Sequence, residues 1–165
     1  MNTSHDSVST VRDYAPAITA EKYARATTAG GYAHATTAGK YARATTAGAY
    51  AHATAASDFA HATTTGAYAH AATAGRLTYA ATTGDYAHAA TTGRLSNASV
   101  SGENAIAVAV GYNSAARAAN GGFIVLAQYD GDTVVAVKTA QVGKDGIKPD
   151  TWYKLSPTGE FVEAE

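Results

Sequence analysis

The stretch Tyr23–Gly48, YARATTAGGYAHATTAGKYARATTAG, states one nine-residue phrase almost three times, and only its third residue changes much: Arg25, His34, Arg43. Followed outward, the period holds from residue 14 to 121, with Tyr14, Tyr23, Tyr32, Tyr41, Tyr50, Phe59, Tyr68, Leu77, Tyr86, Leu95, Asn104 and Asn113 at position one. Position four is Ala in every unit, and position eight is Gly except at Glu21, Ser57 and Asn120. A fixed period of this kind outranks local propensity in deciding the fold. Alanine favours helix, but nine residues do not close on a 3.6-residue turn, and a Gly in each period costs about 1 kcal/mol per helical site. Thr-rich centres between regular Gly fit short strands and corners better. Each unit is therefore expected to be a strand over positions one to six with a corner at seven to nine.

The alternation in the third residue gives the coil. Taking every second unit yields YAHATTAGK, YAHATAASD, YAHAATAGR and YAHAATTGR, while the intervening units run from YARATTAGG and YARATTAGA to LTYAATTGD. Two nonapeptides per coil, about eighteen residues, place the constant series on one face and the drifting series on the other. The expectation is an all-β, two-faced β-solenoid of six coils over 14–121. A flexible lead-in over 1–13 and a small C-terminal β cap over 122–165 flank it. Because strand side chains alternate, the Ala of positions two and four should point into a narrow core. Positions one, three and five should then face out; Arg25 and Arg43 could not sit unpaired in so thin a core. In NAIAVAVGY, Ile106, Val108 and Val110 take outward positions, which predicts either a cover from the C-terminal segment or an inverted register. In that segment FIVLAQY, TVVAVKTAQV, WYKL and EFVEA read as four short strands with turn punctuation between them.

From NAIAVAVGYNSAARAANGGFIVLAQYD to IKPDTWYKLSPTGEFVE the chain resembles the C-terminal part of a family of phage- and prophage-encoded proteins that also carry nonapeptide repeats. VLAQYD, IKPDTWYKL and GEFVE are the most specific segments. The resemblance implies a viral or prophage setting and no particular activity. More loosely, SGENAIAVAVGYNSAARA is similar to the repeats of trimeric autotransporter heads, which are β-rolls.

Net charge is -1 and charged residues make up 15% of the chain, so no global field attracts nucleic acid or an anionic membrane, and both are disfavoured as partners. Cys is absent, which removes disulfides, thiolate metal sites and Cys catalysis. No Sec-type leader and no run of about 18 apolar residues is present, so a cytoplasmic location in a host cell is expected. No nucleophile elbow, P-loop or dinucleotide fingerprint occurs. The expectation is thus no enzyme, no catalytic residues, no cofactor and no metal. The candidate binding face is the paired ladder Tyr32, His34, Tyr50, His52, Tyr68, His70, Tyr86 and His88. Tyrosine supplies contact area at low entropy cost and is enriched at interfaces, while four neighbouring His titrating near about 6.5 would weaken binding in mild acid. The partner expected is a host protein or complex, such as a defence complex. A fibre or homo-oligomer is the alternative, and a Thr-based ice-binding face is a weaker one.

Overall fold

The structure, a computed structural model, describes residues 6–164. Thirteen four-residue strands recur along it: β1 (Ser7–Thr10), β2 (Pro16–Thr19), β3 (Arg25–Thr28), β4 (His34–Thr37), β5 (Arg43–Thr46), β6 (His52–Ala55), β7 (His61–Thr64), β8 (His70–Thr73), β9 (Tyr79–Thr82), β10 (His88–Thr91), β11 (Asn97–Val100), β12 (Ile106–Ala109) and β13 (Ala115–Ala118). Odd-numbered strands stack in parallel into one sheet and even-numbered strands into another. Arg25 pairs with Arg43, and His34 with His52. The chain is an all-β, two-sheet solenoid with about 18 residues per coil and about seven turns. We call the sheets the arginine sheet and the histidine sheet, after Arg25 and His34.

Two details correct the sequence expectation. Ser7–Thr10, within the stretch expected to be a loose lead-in, is a strand paired with β3, and together with the strand that follows β13 it raises the count above six coils; residues 1–5 of that stretch lie outside the described residues. Strands also occupy only positions three to six. Position one belongs to the corner, where all twelve residues from Tyr14 to Asn113 have φ between +50° and +63°. This left-handed conformation costs a residue with a Cβ about 1 kcal/mol. It turns the N–H toward the next coil: Tyr14 donates to the Gly31 carbonyl at 3.0 Å, and Tyr50 to the Ala67 carbonyl at 2.9 Å. Asn104 and Asn113, a residue type at ease in that region, carried the signal for it in the sequence.

The inward residues are those of positions two, four and six. Ala24, Ala26 and Thr28 are fully buried, as are Ala42, Ala44 and Thr46 one coil on. Side chains this small let the two sheets approach closely. The buried Oγ1 atoms of Thr28, Thr37, Thr46, Thr64, Thr82 and Thr91 have no hydrogen-bond partner, and Val100 takes that position near the end of the stack. Position eight is Gly for a reason the turn reading did not contain. A Cβ at Gly48 would fall on the Gly30 carbonyl, and one at Gly66 on the Gly48 carbonyl. Glycine there makes room for the neighbouring coil.

Beyond β13 the core gains larger residues, Ile124, Leu126, Val142, Ile147 and Tyr153. Strand β14 (Phe123–Asp130) continues the histidine sheet in parallel with β12, but Phe123 pairs with Ile106, so this coil is one residue short. Gly121, at φ +83°, takes over the left-handed corner. Strand β15 (Thr133–Gln141) then pairs antiparallel with β14, and β16 (Tyr153–Leu155) and β17 (Phe161–Glu163) extend the arginine sheet antiparallel. The four C-terminal strands fall where the sequence placed them. The register does not invert in the last coil: Ala107 and Ala109 stay buried, and Ile106 and Val108 face outward, half-buried. Phe123 and Val125 lie beside them in register, on β14. The C-terminal segment instead packs against the other sheet, where the Trp152 ring meets Tyr79 edge-on at 6.2 Å and the Arg117 guanidinium at 4.8 Å.

Candidate functional site

Strands β4, β6, β8 and β10 each begin with His, and parallel register superimposes the four rings. His34, His52, His70 and His88 stack with centroids 4.9, 4.8 and 5.0 Å apart and planes within 11°. The column ends at Pro16 on one side and Ile106 on the other. At the adjoining corner Tyr14, Tyr32, Tyr50, Tyr68 and Tyr86 form a second stack, 4.9 to 5.1 Å between rings. The left-handed corner aims these rings out of the body, leaving Tyr32, Tyr50, Tyr68 and Tyr86 between 43% and 48% exposed. All eight residues singled out from the sequence therefore meet on one edge of the histidine sheet, and Tyr14 joins them. Of the Thr in each unit, position five reaches the outer surface; position six is buried, so the sheet presents no flat double row of Thr.

The electrostatics of the ladder differ from four independent imidazoles. Burial, and then the neighbouring His34, hold the His52 pKa below its ordinary value. Burial, and then His52 and His88, do the same for His70. These inner rings resist protonation because charge is less well solvated there and is repelled by like charge above and below. The rings stack face against face, and among the described residues no group of three His, Cys, Asp or Glu is placed to hold a metal ion.

A second surface escaped the sequence reading. On the arginine sheet Arg25, Arg43, His61, Tyr79 and Asn97 form one outward column in register. Beside it Tyr23, Tyr41 and Phe59 stack at 5.1 and 4.8 Å. The Lys22 Nζ sits 4.9 Å from the Tyr23 ring centroid and 5.9 Å from that of Tyr41, and Lys40 lies 5.6 and 5.3 Å from Tyr41 and Phe59. The signal was present in the alternate-unit series, whose ninth residues include Lys22, Lys40, Arg76 and Arg94, but it emerges only once each ninth residue is placed beside the first residue of the next unit. The corner aspartates have structural partners: Asp13, Asp58 and Asp85 accept, each at 2.8 Å, from the backbone N–H of Gly31, Arg76 and Glu103 in the following coil.

Comparison of the chain with protein-family models, curated proteins and solved structures finds no match.

Proposed function

We propose that this is a non-enzymatic, rigid binding protein that docks a host macromolecule, such as a defence complex, through the Tyr32–His34 to Tyr86–His88 strip. The setting proposed is a phage or prophage protein acting in the host cytoplasm, in keeping with VLAQYD, IKPDTWYKL and GEFVE. The observation that carries the reading is the coincidence of a four-ring His stack with an exposed Tyr stack at one spacing. Rings already ordered by stacking lose little entropy on binding, and Tyr edges with hydroxyls suit a polar protein surface. The test is a pull-down from host lysate with the quadruple change of His34, His52, His70 and His88 to Ala. Loss of captured protein, with strand content and melting intact, supports the strip; wild-type-level capture refutes it.

A second reading, self-association, is favoured by β15. This nine-residue strand ends the histidine sheet, and Val134, Val135 and Val137 on it are 49%, 53% and 58% exposed. A long apolar edge is a template for pairing with another strand. Light scattering on a size-exclusion column decides it: a dimer or larger species that Val135→Lys returns to monomer supports assembly, and a wild-type monomer removes it. An ice-binding face draws little support, since Thr28, Thr46 and Thr64 are buried.

A further inference from the structure

The near-neutral net charge conceals a separation that only the coil reveals. Ninth residues at the corner leading into the arginine sheet are Lys22, Lys40, Asp58, Arg76 and Arg94; at the opposite corner Asp13, Asp85 and Glu103 are the charged ones. Neighbouring coils are one strand spacing apart, about 4.8 Å, so the row from Lys22 to Arg94, basic except at Asp58, runs along about 19 Å of the axis. Arg25 and Arg43 form a parallel row on the adjacent face. Along the Arg row lies an open groove of about 570 Å³ lined by Tyr23, Tyr41, Arg25, Arg43, Ser7 and Asp6, and Lys22 and Lys40 sit at its margin over the Tyr23, Tyr41 and Phe59 rings. Among the described residues, no carboxylate makes an ion pair with Lys22, Lys40, Arg25 or Arg43. Among the described residues, Asp6 at the end of the groove nearest β1, Glu21 next to Lys22 at the corner, and Asp58 further along are the acidic groups beside it.

We propose that this groove binds the phosphodiester backbone of a single-stranded nucleic acid. Two rows of fixed cations at strand spacing provide a repeating array for a ligand whose charges also repeat, as a positively charged groove tracks a strand. The groove lining comes from three successive coils, about 10 Å of the axis, a short channel that suits one strand better than a duplex. Lysine and arginine divide the work: Lys22 and Lys40 are point charges held over ring faces, whereas Arg25 and Arg43 present guanidinium forks suited to phosphate oxygens. The ring faces of Tyr23, Tyr41 and Phe59 are closed by stacking and by the lysines, so they offer no platform for bases. Binding is therefore independent of sequence and strongly dependent on salt. It uses neither the His column nor the Tyr32–Tyr86 stack, and stands or falls separately from the proposed docking strip.

The experiment is fluorescence anisotropy of the full chain with labelled oligo-dT and oligo-rU, titrated across salt, with duplex DNA and polyglutamate as competitors. Four phosphate contacts give a slope of log K against log salt of about −3. Arg25→Glu with Arg43→Glu should weaken binding by about tenfold or more and reduce the slope by about 1.4. Lys138→Glu with Lys144→Glu, on the C-terminal segment, changes net charge equally and should stay within about twofold. Lys22→Gln with Lys40→Gln, exposed corner changes, repeats the loss should the Arg pair fail to fold. Equal tightness for DNA and RNA fits a backbone reader. The proposal is overturned by absence of wild-type binding, by unchanged affinity in both groove variants, by equal loss in the control, or by duplex or polyglutamate competing as well as the single strand.

Discussion

The two sheets share a backbone, a core and a corner geometry, yet their outer surfaces have gone different ways. On the histidine sheet one residue type is held through four coils, and stacking makes a uniform strip. On the arginine sheet the same column passes from Arg25 and Arg43 to His61, Tyr79 and Asn97. The inner positions tolerate no such freedom, since Ala26, Ala44 and Ala62 on one side match Ala35, Ala53 and Ala71 on the other, all buried. The fold therefore needs nothing from position three beyond a strand residue. What recurs there, and what drifts, is available for recognition.

The strongest way to break the symmetry of the two sheets is at their corners. Gly66 lies on the corner entering the histidine sheet and Gly75 on the corner entering the arginine sheet, and each would drive a Cβ into backbone of the previous coil. Gly66→Val and Gly75→Val should each cost about 3 kcal/mol or more, read by urea denaturation. A loss at one corner alone would show that the coils are not equivalent. Acid should separate the faces next. His52 and His70 on one sheet and His61 on the other all have folded pKa values below the ordinary one; for His61 the causes are burial and then Arg43. The unfolded chain therefore takes up these protons more readily. Their contribution to stability is intact above about pH 6.5 and is lost as pH falls through that value toward the lower folded ones. The melting temperature should drop between about pH 7.5 and 5.5, and His52→Gln with His70→Gln should flatten that drop more than His61→Gln does. Equal flattening would deny the histidine column its distinct electrostatics. The smallest effect belongs to the shared core: Thr64→Val and Thr37→Val, one from each sheet, remove a buried hydroxyl without a partner. Each should stabilise by about 1 kcal/mol, as a higher urea midpoint, and a gain on one sheet only would mark a difference inside the core.

Much of this was legible because translation along the stack is written directly as period. The alternation of Arg25, His34 and Arg43 was enough to place His34 beside His52, a pairing that parallel register then makes into a ring stack. Less legible were features that depend on the angle of the corner. Tyr50 looked like a strand residue, being aromatic and regular, but its φ of +57° puts it in the turn. Gly48 looked like a turn residue, but its role is clearance for the carbonyl of Gly30, eighteen residues earlier. Likewise the Lys22–Tyr23 and Arg25–Arg43 rows were divided between series until the corner brought the end of one unit beside the start of the next.

The sequence by itself determined the coil length, the pairing of like units and the inward Ala. A repeat of eighteen residues leaves parallel strands only one register in which the small side chains all turn to one side. The tertiary structure alone decided which residues make the corner, how the last coil is shortened at Gly121 and extended by antiparallel strands, and how most of the ninth-position charges sort into a mainly basic corner and an acidic one. Those depend on backbone dihedrals and on proximity across coils, and a linear period specifies neither.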